Sequence, residues 1–94
     1  MIYVVCTNKL EKDDVNVFMV AAKEHAKMSK ALDDGCIAFD ISEYNEETKE
    51  IVFFERWENQ ECLDKHANRC KGLPLLDILN ASRYNKDLKI YPIA

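Results

Sequence analysis

The chain has 94 residues, of which 48% are hydrophobic and 32% are charged, so it can bury the core of one globular domain but not of two. The net charge is −4 and the basic residues are scattered among acidic ones, which argues against a nucleic-acid partner. No apolar run is long enough to cross a membrane, and the first residues lack the pattern of a secretory signal, so we expect a cytoplasmic protein.

The first third of the chain predicts a strand followed by a long helix. Residues 2–8 are mostly β-branched or aromatic on both alternating faces, which indicates a strand that is covered on both sides. An apolar face then recurs at helical spacing from Asp13 or Asp14 to about Leu32, and His25 lies on it. Gly35 is expected to end this helix, because glycine readily adopts the left-handed conformation found there.

The middle of the chain predicts a β-hairpin. Residues 36–44 alternate in polarity and place Ile37, Phe39 and Ile41 on one face. The polar run 45–49 is typical of a hairpin turn, and residues 51–57 predict the second strand. These two strands should therefore be antiparallel neighbours.

The last third predicts two helices and a final strand. Asn59 is placed to cap a helix from about Gln60 to Cys70. A shorter helix follows over residues 73–82, and its first turn tolerates Pro74. Residues 87–93 predict a strand that Pro92 confines to a sheet edge or brings to an end.

The predicted order of elements, β-α-β-β-α-β, indicates an α+β domain of the ferredoxin-like type over residues 1–94. In this arrangement the helices cover one face of a four-stranded antiparallel sheet and leave the other face bare. The first and third strands carry apolar residues on both faces. We therefore expect a homodimer in which the two bare sheet faces meet.

The four cysteines form no CxxC pair and are expected to be reduced thiols. Cys62, His66 and Cys70 recur every four residues along one helical face, which resembles a row of metal ligands. The row extends over about 12 Å of helix, so its three side chains cannot all reach one ion. We expect a buried helix face without a metal; the alternative is a zinc site completed by residues from elsewhere.

The segment from Phe54 to His66, together with the preceding Gly-Cys pair, resembles the antibiotic biosynthesis monooxygenase-like family, which forms dimeric α/β barrels. In that family Gly-Cys opens the second strand, Glu-x-Trp closes the third, and a His follows nine residues after the Trp. The matching residues in this chain are Gly35, Cys36, Glu55, Trp57 and His66. The family includes quinol and polyketide oxygenases, haem-degrading enzymes, signal-molecule isomerases and members without an assigned activity.

This sequence departs from the family pattern in two ways. Many of the oxygenases carry a second His a few residues after the first, whereas Ala67 to Lys71 contain none. No His follows His66 at all, so the axial ligand of the haem-degrading relatives is missing. The first departure argues against a mechanism that needs two imidazoles there, and the second argues against haem degradation. What the resemblance still implies is an oxygenase reaction that needs no cofactor.

The resemblance implies a monooxygenase acting on a small aromatic or quinol-like molecule. Such a molecule reacts with O₂ once deprotonated, which requires an apolar pocket, a base and donors for the developing oxyanion. We predict that His66, whose ordinary pKa is near 6.5, is the base and borders one pocket with Trp57. The predicted catalytic residues are His66, Trp57 and Asn8, and the predicted substrate-binding residues are Phe39, Phe53, Glu55 and His25.

Each of these residues also has a structural alternative. Trp57 can be a core anchor of its strand, and His66 and His25 can be ordinary buried helix residues. Glu55 can belong to an ion pair, and the sequence offers little support for a raised pKa of its carboxyl group. The alternative function is a non-catalytic or regulatory dimer that binds a small apolar molecule in the same pocket.

Overall fold

The predicted strands and helices are present and occur in the predicted order. The computed structural model describes residues 1–94. One turn of 3₁₀ helix, Lys12–Asp14, precedes the first helix. The elements are β1 (Ile2–Lys9), α1 (Val15–Leu32), β2 (Cys36–Ile41), β3 (Glu50–Trp57), α2 (Gln60–Cys70), α3 (Pro74–Ser82) and β4 (Asn85–Pro92). The α+β, ferredoxin-like fold class is confirmed.

The four strands form one antiparallel sheet in the order β2-β3-β1-β4. β4 is an edge strand that ends at Pro92, as the position of this proline predicts. In the central pair, Val4 lies opposite Glu55 and Ile2 lies opposite Trp57. All four are buried, so this face of β1 and β3 is the one that the helices cover.

The buried residues form two clusters rather than one. The larger cluster includes Phe18 of α1, Phe53 of β3 and Leu79 of α3. The smaller cluster contains Ile2, Val4, Trp57 and Leu63 and lies between α2 and the sheet. The gap between the clusters is where a cavity opens.

The expected alternation in β2 is wrong at its start. Cys36 pairs with Trp57 and Ala38 pairs with Arg56, so Ile37 is an extra residue in a β-bulge. Its side chain is 45% exposed, whereas Phe39 is buried. The bulge changes the alternation, and Ile37 therefore does not share a face with Phe39 and Ile41.

Strand β4 is exposed along its whole length, because the helices do not reach it. On the helix side this leaves Lys86, Leu88 and Ile90 uncovered. On the opposite, bare side of the sheet, Tyr3 and Phe54 are exposed. No helix of the chain is both long enough and apolar enough to span a bilayer.

Candidate active site

A cavity of about 320 Å³ lies between the sheet and the helices. Val4, Phe53 and Leu63 contribute apolar surface from both core clusters. Its volume is at the lower end of the range for small-molecule pockets. On the side of β4, Lys86 and Leu88 form an exposed rim.

The structure brings four of the seven predicted site residues to this cavity and leaves three outside it. His66, His25, Glu55 and Phe53 line the cavity. Trp57, Asn8 and Phe39 are buried beside it but are not part of its wall. Trp57 packs against the ring of His66 with ring centroids 4.6 Å apart. The expectation that His66 and Trp57 both border the pocket is therefore wrong for Trp57.

His66 is held by a carboxylate that the sequence analysis did not single out. Its Nδ1 lies 2.6 Å from Oδ2 of Asp33, the residue that follows α1. Arg69 binds the same carboxylate through Nε to Oδ1 at 2.5 Å and through Nη2 to Oδ2 at 2.9 Å. The Asp33 side chain is only 5% exposed. A buried carboxylate thus fixes the orientation of the imidazole.

The charges of this pair follow from their surroundings. Burial alone would raise the pKa of Asp33, but the hydrogen bonds from Arg69 and His66 outweigh it and lower the pKa. Burial lowers the pKa of His66, and the hydrogen bond and charge of Asp33 only partly oppose this. Asp33 is therefore ionised and His66 neutral at pH 7, so Nδ1 carries the proton. Nε2 is left unprotonated, as a base requires, and lies 3.8 Å from Sγ of Cys70.

The close approach of α2 to the start of β2 makes this contact possible. Gly35 has a positive φ of 77°, and a Cβ at this position would lie 2.5 Å from Sγ of Cys62. Asn59 caps α2 by accepting a hydrogen bond from the backbone N–H of Cys62. Gly35 and the Asn59 cap together place the first turn of α2 against the segment that contains Asp33.

His25 faces His66 across the cavity wall, with ring centroids 5.4 Å apart. Its ring also packs edge-on against Phe39. Burial, followed by the charges of His66 and Arg69, lowers the pKa of His25 to about 4. His25 is therefore a neutral imidazole at pH 7.

Glu55 is the buried acid of the cavity. Burial raises the pKa of Glu55 to about 7, although a hydrogen bond from Trp57 and the charge of Lys86 oppose the increase. Trp57 donates its Nε1–H to Oε1 of Glu55 over 3.1 Å. Glu55 therefore has a raised pKa, for which the sequence offered little support, and it belongs to none of the ion pairs. The indole N–H of Trp57 is already used inside the protein.

Asn8 is fully buried and its amide is fully occupied. Its Nδ2 donates to the carbonyl oxygens of Ile51 at 3.0 Å and Cys6 at 3.3 Å. Its Oδ1 accepts a hydrogen bond of 2.8 Å from Nη1 of Arg83, which does line the cavity. Asn8 therefore positions Arg83 and does not contact the cavity itself. The sequence analysis missed Arg83 because this residue lies in the short connection between α3 and β4, outside the predicted elements.

Three side chains at the cavity have atoms that could bind a metal ion. The nearest donor atoms of His25, His66 and Cys70 all lie within 4.8 Å of one another. Cys62 is not part of this group; it packs against Gly35 instead. Closed structural zinc sites use four protein ligands, one more than this group supplies.

Comparison with known proteins gives a family match and a set of similar structures. The family model of the antibiotic biosynthesis monooxygenases matches residues 1–70. No curated protein matches the chain. A crystal structure of an antibiotic biosynthesis monooxygenase is similar with a TM-score of 0.83 and 17% identity, covering 100% of this chain and 99% of that one.

Two further structures are similar at slightly higher identity. A conserved protein of unknown function from Bacteroides thetaiotaomicron has a TM-score of 0.84 and 22% identity, with coverage of 96% of this chain and 94% of that one. A conserved protein from Methanosarcina mazei has a TM-score of 0.82 and 22% identity, with coverage of 96% and 89%. At these identities the structures establish the fold alone.

Proposed function

The chain belongs to the antibiotic biosynthesis monooxygenase family, and from that premise we propose that its cavity is the active site of a cofactor-independent monooxygenase. The proposed substrate is a small aromatic or quinol-like molecule, and His66 is the proposed base. The observation that carries the proposal is the pairing of His66 with Asp33 at a cavity of suitable size. An unprotonated Nε2 held in a fixed direction is what general-base catalysis needs.

The proposed reaction begins with proton transfer from a substrate hydroxyl group to Nε2 of His66. The resulting anion gives one electron to O₂, and the two radicals combine to form a carbon–oxygen bond. The imidazolium then returns its proton to the peroxide. The ring carbon that bears the resulting hydroperoxide loses its hydrogen as a proton and forms a C=O bond while the O–O bond breaks, and the departing hydroxide takes up that proton and leaves as water. For a hydroquinone, C₆H₆O₂ and O₂ give the hydroxyquinone C₆H₄O₃ and H₂O, so no reductant is needed.

The remaining cavity residues have supporting roles in this proposal. Asp33 is a positioning residue, because it contacts His66 rather than the substrate, and its negative charge stabilises the imidazolium as it forms. Phe53 supplies apolar surface for an aromatic ring. Such surface also limits access of water to the substrate anion.

We also propose that the protein acts as a homodimer joined through the bare face of the sheet. Tyr3, Phe54 and Tyr91 are exposed large side chains, and Tyr3 lies opposite Tyr91 in the sheet. Val5, directly opposite Phe54, extends this apolar band. Exposed apolar surface of this kind is typical of an interface between subunits.

Oxygen consumption with a panel of quinols tests the proposed activity. His66→Ala should lower turnover by about 10² to 10⁴, as expected for loss of a general base. Lys65→Ala, an exposed position on the same helix, is the matched control and should retain full activity. Binding of quinols without oxygen consumption would instead support the non-catalytic, ligand-binding alternative.

A further inference from the structure

One end of the cavity carries positive charge that no acidic side chain neutralises. Arg83 and Lys86 line this end and meet at Asn8, because Arg83 donates a hydrogen bond to Asn8 and Lys86 lies opposite Asn8 in the sheet; Lys71 also lines the cavity. The ion pairs of the protein involve other residues, so none of these three cations lies within 4.0 Å of a carboxylate oxygen. The only acidic residues of the cavity wall are Glu55 and Asp77.

Arg83 is held in place by neutral groups rather than by a counter-ion. Its Nη1 donates to Oδ1 of Asn8 and its Nη2 donates to Oδ1 of Asn80. Asn8 is itself fixed by two backbone carbonyl groups. A guanidinium has five N–H donors, so three remain without a protein acceptor. The arrangement presents a pre-oriented, partly buried cation to the cavity.

A partly buried cation without a counter-ion is costly unless a ligand supplies the negative charge. Burial lowers the pKa of Arg83, which is the sign of this cost, yet arginine stays protonated in proteins. Burial is the main cause of the raised pKa of Glu55 and of the lowered pKa of His66, and the charge of Lys86 makes a smaller, lowering contribution to each, so its field reaches the interior of the site. Both cations therefore act on whatever occupies the cavity.

We propose that the substrate is an aromatic acid whose carboxylate binds between Arg83 and Lys86 while its oxidisable ring faces His66. This inference rests on the proposed function and narrows its substrate class from neutral quinols to anionic ones. Carboxylates fit the planar fork of a guanidinium, which can donate two parallel hydrogen bonds to them. Lys86 on the exposed rim meets the same group from the open side of the cavity.

Calorimetric binding in the absence of O₂ separates this inference from the reaction itself. The ligands are 2,5-dihydroxybenzoate and its methyl ester, which share a hydroquinone ring and differ in the negative charge. We expect the acid to bind at least about ten-fold more tightly than the ester. Lys86→Met and Arg83→Gln should each remove most of this preference. Lys89→Met is the matched control, because Lys89 lies on the same strand but on the opposite face of the sheet, and it should leave the preference unchanged.

The possible outcomes are distinct. Loss of the preference in the Lys86→Met and Arg83→Gln variants, with the Lys89→Met variant unchanged, supports the inference. If the acid and the ester bind with equal affinity and both are consumed once O₂ is admitted, the inference of an anionic substrate is overturned but the monooxygenase proposal is not. Absence of binding for both ligands, with other quinols of the panel still consumed, overturns the inference alone. If no quinol of the panel is bound or consumed either, the proposed function is overturned as well.

Discussion

Asp33 and His66 are separated by 33 residues in the sequence, yet Oδ2 of the one lies 2.6 Å from Nδ1 of the other. Asp33 directly follows the first helix, and His66 lies near the middle of the second helix. The contact gives the imidazole one defined tautomer and one defined direction. Because Asp33 reaches the cavity only through His66, its contribution can be tested separately from substrate contact.

The first prediction concerns Asp33→Asn. We expect turnover of an oxidisable quinol to fall by about 10²-fold, because the amide no longer selects the tautomer or stabilises the imidazolium. Asp33 raises the pKa of His66, so its replacement should lower that pKa further. The acidic limb of the pH profile of kcat/KM should therefore move to lower pH, which a purely structural role would not cause.

The matched control for this prediction is Asp34→Asn. Asp34 is the next residue in the chain, is exposed and makes no ion pair, so its replacement should leave rate and pH profile unchanged. An Asp33→Asn variant that is folded, fully active and has an unshifted pH profile would contradict the positioning role.

The second prediction concerns stability and the buried acid Glu55. Its pKa is about 7 in the folded protein against an ordinary value of 4.5, so the unfolded chain loses this proton first as pH rises. The contribution of the protonated carboxyl is complete below pH 4.5 and is lost as pH rises through 7. Glu55→Gln removes this titration, and an amide oxygen can still accept the Trp57 hydrogen bond.

The free energy of unfolding of the Glu55→Gln variant, taken relative to that of the unmodified protein, should therefore be about 2 to 3 kcal/mol higher at pH 8 than at pH 4.5. Urea unfolding at both pH values measures this difference, and the titration of His25 cancels because both proteins contain it. Glu58→Gln, at an exposed position three residues later, serves as the control. Parallel stability curves for the Glu55→Gln variant and the unmodified protein would refute the raised pKa.

The fold could be predicted from the sequence because each element carries local information about its bounds. Asn59 and the Pro74 turn mark the starts of α2 and α3, and both helices begin where expected. The position of Ile37 could not be predicted, because a β-bulge depends on the register with β3 and not on the residues of β2 alone. Alternation along a strand predicts which side chains share a face only where its pairing with the neighbouring strand is uninterrupted.

The site was less predictable, because its polar residues meet only after folding. His66, His25, Glu55 and Phe53 lie at the cavity as expected, since they occupy the inner faces of predicted elements. Asp33 and Arg83 lie outside the helices and strands that the pattern predicted, so hydrophobic periodicity gave no reason to choose them. Trp57 is on the inner face, but whether its side chain lies in the core or at the cavity wall depends on packing against other elements, which the sequence around Trp57 does not show.

The third prediction concerns self-association. Sedimentation should show a dimer at micromolar concentration, with an interface of more than about 2,000 Å² in total. Phe54→Lys should shift it to a monomer, because a charge would be placed on the 49% exposed apolar position at the centre of the bare sheet face. Ile78→Lys, at a 42% exposed position on α3, should leave the dimer intact. A stable monomer of the unmodified protein would exclude this assembly.

The fourth prediction is that protein purified without added metal contains four reduced thiols and no stoichiometric zinc. All four cysteines are free in the structure. The donor group of His25, His66 and Cys70 lacks a fourth protein ligand, and Nδ1 of His66 is already bonded to Asp33. Native mass spectrometry and thiol titration measure both quantities. One bound zinc per chain that is lost in a Cys70→Ser variant would show that these three residues form a metal site instead.

The fifth prediction compares the two glycines, which have nearly the same backbone conformation. Gly35 has a φ of 77° and Gly72 a φ of 75°, so alanine should cost about 1 to 2 kcal/mol at either position through backbone strain. A Cβ at Gly35 would lie 2.9 Å from Cβ of Cys62, whereas a Cβ at Gly72 would meet nothing within 4 Å.

Because α2 must move to relieve this clash, Gly35→Ala should cost about 1 to 3 kcal/mol more than Gly72→Ala in urea unfolding. The same movement separates Asp33 from His66, so the acidic limb of the pH profile should shift in Gly35→Ala but not in Gly72→Ala. Equal losses of stability in the two variants would mean that α2 tolerates the added methyl group, and the close approach of α2 would then not be what holds the pair together.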